Sequence, residues 1–267
     1  AARVLEGWGL SVAMRAERTH HFYLAGTDAA RAAHLNQVMA EPAVRAVFAA
    51  RGGYGGMRLL RHLDPGLGHV EKFLVGFSDV TVLHLVAARL WPRVRAVHAP
   101  NIAARHFLGP EPEAERNRAA LRAALFDPGY EVDEPVAFLR EGRAEGPLAG
   151  GCLSLLAAMM GSGFVPDTDG SIFFLEDVRE APYRIDRMLV QLRNAGLFEN
   201  VAGVVFGEMR ECADGINDLR EIIADVLADG SFPVAFGLPA GHGPRNIALP
   251  LGGRAALDSV SGRFRLG

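Results

Sequence analysis

The chain has 267 residues, 49% of them apolar and 22% charged, and its 28 basic and 31 acidic residues leave a formal charge of −3. That size admits one large domain or two modest ones, with a core that needs no staples; the balance excludes disorder, a basic nucleic-acid surface and a polybasic membrane protein. The two cysteines, Cys152 and Cys212, exclude a disulfide framework. No apolar run reaches the roughly 20 residues of a membrane span, so the expectation is a cytoplasmic protein.

Residues 2–8 read as a helix and Leu10–Met14 as a short strand. A helix leading straight into a strand looks like a βαβ unit without its first strand. Asp28–Ala40 gathers Ala29, Ala32, Ala33, Leu35 and Met39 near one helical face. Val44–Ala50 is an apolar, β-branched run of the kind buried in a parallel sheet. It ends in Arg51-Gly52-Gly53-Tyr54-Gly55-Gly56, and a helix follows at Met57–Leu63. Asp64-Pro65-Gly66 turns the chain into a strand at Phe73–Phe77 and a helix at Val80–Leu90. A polar helix is expected over 111–126.

Prolines and glycines crowd Asp127–Pro147, which places a boundary there. The division expected is an N-terminal domain over 1–130, a linker over 131–147 and a C-terminal domain over 148–267. Helices are expected at Cys152–Met160, Tyr183–Ala195 and Asn217–Ala228, alternating with strands at Ser171–Leu175, Ala202–Phe206 and Phe232–Phe236. Residues 247–267 read as short strands joined by glycine turns. Strands alternating with helices predict α/β architecture with a covered parallel sheet.

Four segments carry candidate chemistry. In Gly76-Phe77-Ser78-Asp79 a strand ends and a helix begins, which lifts a hydroxyl onto a bend beneath free backbone N–H groups. Taken alone, Ser78 or Asp79 reads first as a helix N-cap. The glycines of 52–56 bring backbone N–H groups toward an anion or carbonyl, or simply make a turn. Glu176, Asp177 and Glu180 follow the apolar strand, where a carboxylate orients a histidine or sits in a solvated loop. His242 stands between Gly241 and Gly243, again a base or a solvated side chain. No histidine or cysteine spacing matches a zinc site. Together the segments supply a nucleophile, a carboxylate and a base, as metal-free acyl transfer requires. Lys72 is the single lysine, so lysine chemistry would have to use it.

Five stretches resemble the LD-carboxypeptidases, a family of serine peptidases: ARGGYGGMRLL (50–60), LVGFSDVTVLH (74–84), GPLAGGCLSLL (146–156), IFFLEDVREAPYRIDRMLVQL (172–192) and PAGHGPRNIALPLG (239–252). The resemblance implies a flavodoxin-like parallel N-terminal sheet carrying Ser78 and a smaller, mixed α/β C-terminal domain carrying Glu176 and His242. Ser78 would be the nucleophile, Glu176 the triad carboxylate (Glu180 second) and His242 the base. The backbone N–H of Asp79, with Gly52 or Gly53, would hold the oxyanion. Tyr54 and Cys152 are candidate pocket residues, and Arg184 and Asp186 a supporting pair or a structural one. The family pattern reads GGN where this chain has Gly150-Gly151-Cys152.

The family implies no cofactor or metal, a muropeptide substrate from which terminal D-Ala is released, no nucleic-acid or membrane partner, and a homodimer. The rivals are hydrolysis of an aminoacyl-nucleotide such as processed microcin C and a catalytically silent muropeptide binder. The family's opening strand and small-residue loop have no counterpart at the start of the chain.

Overall fold

The computed structural model describes residues 1–13 and 20–267. The first half carries α1 (Ala2–Glu6), α2 (Asp28–Ala40), β1 (Ala46–Phe48), β2 (Lys72–Gly76), α3 (Thr81–Leu90), β3 (Val94–His98), α4 (Arg105–Leu108) and α5 (Pro112–Phe126). Then come β4 (Val132–Pro135), β5 (Ala137–Arg140), β6 (Arg143–Cys152), α6 (Leu153–Ala158), β7 (Ile172–Val178) and α7 (Pro182–Asn194). The chain continues through β8 (Gly203–Arg210), α8 (Leu219–Val226), β9 (Val234–Phe236), β10 (Leu249–Pro250), β11 (Arg254–Asp258) and β12 (Arg263–Leu266). Leu10–Ala13 form no strand, and Met14 lies outside the described residues. No described helix is long and apolar enough to cross a membrane.

The N-terminal sheet has the order β1-β2-β3-β10. Its first three strands are parallel, and β10 closes the edge antiparallel, Leu249 opposite His98 and Pro250 opposite Val97. The outer strand of the first half is therefore supplied by the second half. The helix expected over 57–63 is a 3₁₀ helix at Met57–His62, followed by another at Pro65–His69.

The C-terminal sheet has eight strands in the order β4-β12-β11-β6-β7-β8-β9-β5. It is the larger sheet, contrary to the smaller domain expected. Its two edge strands, β4 and β5, are separated in sequence by Val136 alone, so the sheet curls into a nearly closed, barrel-like form. The stretch 131–147 was expected as a linker; it carries β4, β5 and the first half of β6. Its prolines and glycines punctuate hairpins instead of marking a tether. Pro128 and Gly129 make a turn, Pro135 ends an edge strand, and Gly142 lies between β5 and β6. The first half of β6 pairs antiparallel with β11 and the second half parallel with β7.

One core cluster spans both halves. Val82 and Leu85 of α3 pack with Leu153 and Leu156 of α6, Phe173 of β7 and Leu189 of α7, all buried. Each such side chain contributes about 1.5–3 kcal/mol when removed from water, so α3 belongs energetically to both halves. The rule that β7 obeys is that of a strand covered on both faces: Ile172 to Asp177 are all buried, two carboxylates included.

α3 also buries His84, whose imidazole burial pushes down to about 4. Burial likewise holds His98 well below the ordinary histidine value. The unfolded chain protonates these rings near pH 6.5, which the folded chain refuses. Their contribution is therefore complete above pH 6.5 and is lost as pH falls toward 4. Urea unfolding of His84→Leu and wild type at pH 7 and pH 4.5 is expected to show wild type losing about 2–3 kcal/mol more over that interval. The carboxylates titrate in both proteins and cancel; parallel losses would show that His84 is not the linked group.

Candidate active site

Ser78 sits on a bend made by its neighbours. β2 ends at Gly76, Phe77 is extended, and Ser78 takes φ +64° before a 3₁₀ turn at Ser78–Val80 runs into α3. A left-handed serine costs roughly 1–2 kcal/mol and persists only where its surroundings hold it. Two side chains do so. Asn101 is buried and brackets the Phe77 residue: Phe77 N–H donates to Oδ1 (3.3 Å), and Nδ2 points at the Phe77 carbonyl (3.5 Å). Asp79 Oδ2 accepts from Gly56 N–H at 2.9 Å, which ties the bend to the glycine-rich loop; burial raises this carboxyl. At Gly52 a Cβ would stand 3.3 Å from Ser78 Oγ and 3.1 Å from Asn101 Nδ2, so glycine lets the backbone lie against the hydroxyl.

Glu176 is fully buried on β7. His242 Nδ1 lies 2.6 Å from its Oε2. Burial raises the Glu176 carboxyl, and the hydrogen bond from His242 opposes that shift. A proton on Nδ1 shared with the carboxylate leaves Nε2 as the ring's free acceptor. Gly241 makes the approach feasible. Its φ is +125°, and a Cβ there would lie 2.6 Å from Glu176 Oε2. The neighbouring carboxylates serve other ends. Asp177 accepts from Ser154 N–H (2.7 Å) and its own follower Val178 N–H (2.8 Å), securing the first turn of α6. Glu180 pairs with Arg184 across one helical turn at 3.4 Å.

The histidine loop is held from the first half of the chain. Asn117 of α5 is buried; its Nδ2 donates to the carbonyls of His106 and Pro244, and its Oδ1 accepts from Asn246 N–H, each at 2.9 Å. Asn246 Oδ1 in turn accepts from Gly241 N–H at 3.0 Å. Arg210 Nη1 donates to the His242 carbonyl at 3.1 Å. The imidazole packs on Phe77, ring centroids 4.7 Å apart, while His98 stands edge-on to both Phe77 and Phe174. This aromatic run crosses the seam between the two sheets.

A cleft of about 410 Å³ opens at that seam, with Ser78, Gly52 and His242 on its wall. Gly53 follows Gly52 at φ +131° with open space around it. Tyr54 is 64% exposed and meets Tyr23 edge-on at 5.5 Å. Cys152 does not reach the cleft wall. It is 2% exposed, pairs in register with Glu176 across β6 and β7, and burial pushes its thiol well above the usual range. Its N–H donates to Thr81 Oγ1 at 3.2 Å, a further stitch between the halves. Arg184 turns to Glu180 and the Tyr183 hydroxyl rather than to Asp186, because positions two apart on a helix point to different faces. Among the described residues no group of three or more His, Cys, Asp or Glu is placed to hold a metal.

Sequence reasoning missed Asn101, Asn117 and Asn246. For Asn117 the available signal was an amide inside a helix otherwise built of good helix formers. Asn246 lay within the fifth stretch quoted above.

The LD-carboxypeptidase N-terminal domain matches residues 1–99, and the LD-carboxypeptidase C-terminal domain matches 145–257. A Streptomyces coelicolor protein that carries the name of a carboxypeptidase is 39% identical over 98% of this chain and 86% of its own. The murein tetrapeptide carboxypeptidase of Pseudomonas aeruginosa is 33% identical over 88% of this chain and 80% of its own. The crystal structure of muramoyltetrapeptide carboxypeptidase from Oxalobacter formigenes superposes with a TM-score of 0.86 at 32% identity, covering 99% of this chain and 91% of that one.

Replacing Asn117 with alanine would strand two carbonyls and one N–H in a buried place. Thermal or urea denaturation of Asn117→Ala is expected to show a loss of about 2–4 kcal/mol. A loss below about 1 kcal/mol would mean that the loop does not depend on this amide.

Proposed function

The chain belongs to the LD-carboxypeptidase family of serine hydrolases, and from that premise we propose that it releases terminal D-Ala from muropeptide tetrapeptides, a step of peptidoglycan recycling. The observation that carries the proposal is the buried Glu176–His242 hydrogen bond at the wall of the cleft onto which Ser78 opens.

In the proposed mechanism Ser78 Oγ attacks the carbonyl of the L,D bond while His242 Nε2 takes its proton. Glu176 keeps the proton on Nδ1 and stabilises the imidazolium that forms. The oxyanion is met by backbone N–H groups of Asp79 and of Gly52 or Gly53, donors that need no reorganisation as charge develops. His242 then returns the proton to the departing D-Ala nitrogen. Water hydrolyses the acyl-enzyme by the same exchange in reverse.

The aromatic stacking partner that an aminoacyl-nucleotide would want is not supplied by either tryptophan. Trp91 is fully buried and Trp8 packs edge-on against Phe107. A silent binder has no use for a buried carboxylate aligned on an imidazole.

The test is D-alanine release from L-Ala-γ-D-Glu-meso-diaminopimelate-D-Ala. Wild type is expected to turn over, and Ser78→Ala and His242→Ala are each expected to fall by about 10³-fold or more, because such groups act as a unit. Equal release by Ser78→Ala and wild type would reduce Ser78 to a helix cap. No release by folded wild type would turn attention to the aminoacyl-nucleotide.

A further inference from the structure

The cleft that holds Ser78 and His242 has a lopsided charge. Arg51, Arg105 and His106 stand on its wall, and no aspartate or glutamate does. Two of these three are poor anchors for an anion. Arg105 is bound through Nε and Nη2 to Glu111 Oε1, the Nε contact being 2.7 Å. His106 is half-buried, and burial together with Arg210 and His242 holds it below the ordinary histidine value, which disfavours the cation there. Arg51 has no carboxylate within ion-pair distance among the described residues, and its side chain is exposed to the cleft. A guanidinium presents a planar fork of donors that matches a carboxylate in two parallel hydrogen bonds.

Its place in the chain matters as much as its freedom. Arg51 directly precedes Gly52, whose backbone lies against Ser78 Oγ. In a substrate cut before its last residue, three bonds separate the attacked carbonyl carbon from the carboxylate carbon, about 3–4 Å through space. A cation that fixes such a terminus must start beside the oxyanion site and reach only a few ångströms past it. Arg51 fits that requirement.

We propose that Arg51 is the receptor for the free C-terminal carboxylate of the leaving residue, and so the residue that makes this hydrolase an exopeptidase. The assignment rests on the reading of Ser78 and His242 given above and goes further, since it names which end of the peptide is recognised and by what. An amide or a longer chain in place of the carboxylate would leave the guanidinium without its charge partner and lose the preference.

The experiment compares the tetrapeptide with its C-terminal carboxamide in wild type, Arg51→Ala, Arg51→Lys and Arg105→Ala. Wild type is expected to favour the acid by about 100-fold in kcat/KM, the range of a charge-assisted hydrogen-bonded pair. Arg51→Ala is expected to bring the ratio near one, chiefly through KM for the acid. Arg51→Lys is expected to recover part of it, and Arg105→Ala to keep it. A ratio unchanged in Arg51→Ala, or lost in Arg105→Ala instead, overturns the assignment. If wild type cleaves neither peptide, the substrate reading fails, and a second measurement still decides Arg51. In that measurement, N-acetyl-D-alanine is expected to slow fluorophosphonate labelling of Ser78 in wild type more than its amide does. Equal protection by acid and amide in wild type, or the same bias in Arg51→Ala, rejects Arg51 as the anchor.

Discussion

Glu176 is sealed inside the eight-stranded sheet and has, among the described residues, one side-chain hydrogen-bond partner, the imidazole of His242 at 2.6 Å. A carboxylate taken out of water costs several kcal/mol unless it is paired, so this contact constrains everything near it. Gly241 must be a glycine for the ring to arrive. The loop must be held at both ends, which Asn246 and Arg210 do. The strand that carries the carboxylate must be covered on both faces. The geometry of the cleft wall and core packing are the same problem here, and the sequence of β7, in which two acids follow four apolar residues, states it.

The two halves are joined by more than a chain crossing. β10 completes the first sheet, Asn117 clasps the histidine loop, Thr81 receives the Cys152 N–H, and α3 shares a core with α6 and α7. Each contact links residues far apart in sequence. A motion that separated the sheets would break the loop's hydrogen bonds and expose Glu176 together. The cleft is therefore a product of docking, in keeping with the general habit of pockets to form between domains.

Much of this was legible. The strands β2, β7 and β8 each contain an apolar run of three or four residues, and α3 and α7 show helical periodicity beside them. Ser78 and Glu176 each follow such a run, so position in the sheet and chemistry pointed the same way. β3, in contrast, mixes exposed Arg95 with buried Val94, Val97 and His98 over five residues, without the alternation that would make it stand out. The region 131–147 misled because proline and glycine mark hairpin turns as readily as linkers. β10 has two residues, and no local signal announces a strand that exists only because a distant edge needs it. The asparagines hid for a related reason. Asn117 bonds to backbone groups 127 and 129 residues away, and that partnership is written in the fold rather than in any window of sequence.

The borrowed strand also sets an order of events during synthesis. Ser78, β1, β2 and β3 leave the ribosome early, and a chain generally begins folding from that end. The edge beside β3 then stays open until residues 249–250 emerge, and the imidazole that shares the cleft wall with Ser78 arrives only shortly before, at 242. The nascent first half thus carries Ser78 without the histidine loop that faces it and a sheet with an unfilled rim, both completed by one short stretch. The seam between the two sheets, and the cleft that opens at it, can therefore be completed only after residues 242–250 have been made, a consequence of strand order and of the position of one loop.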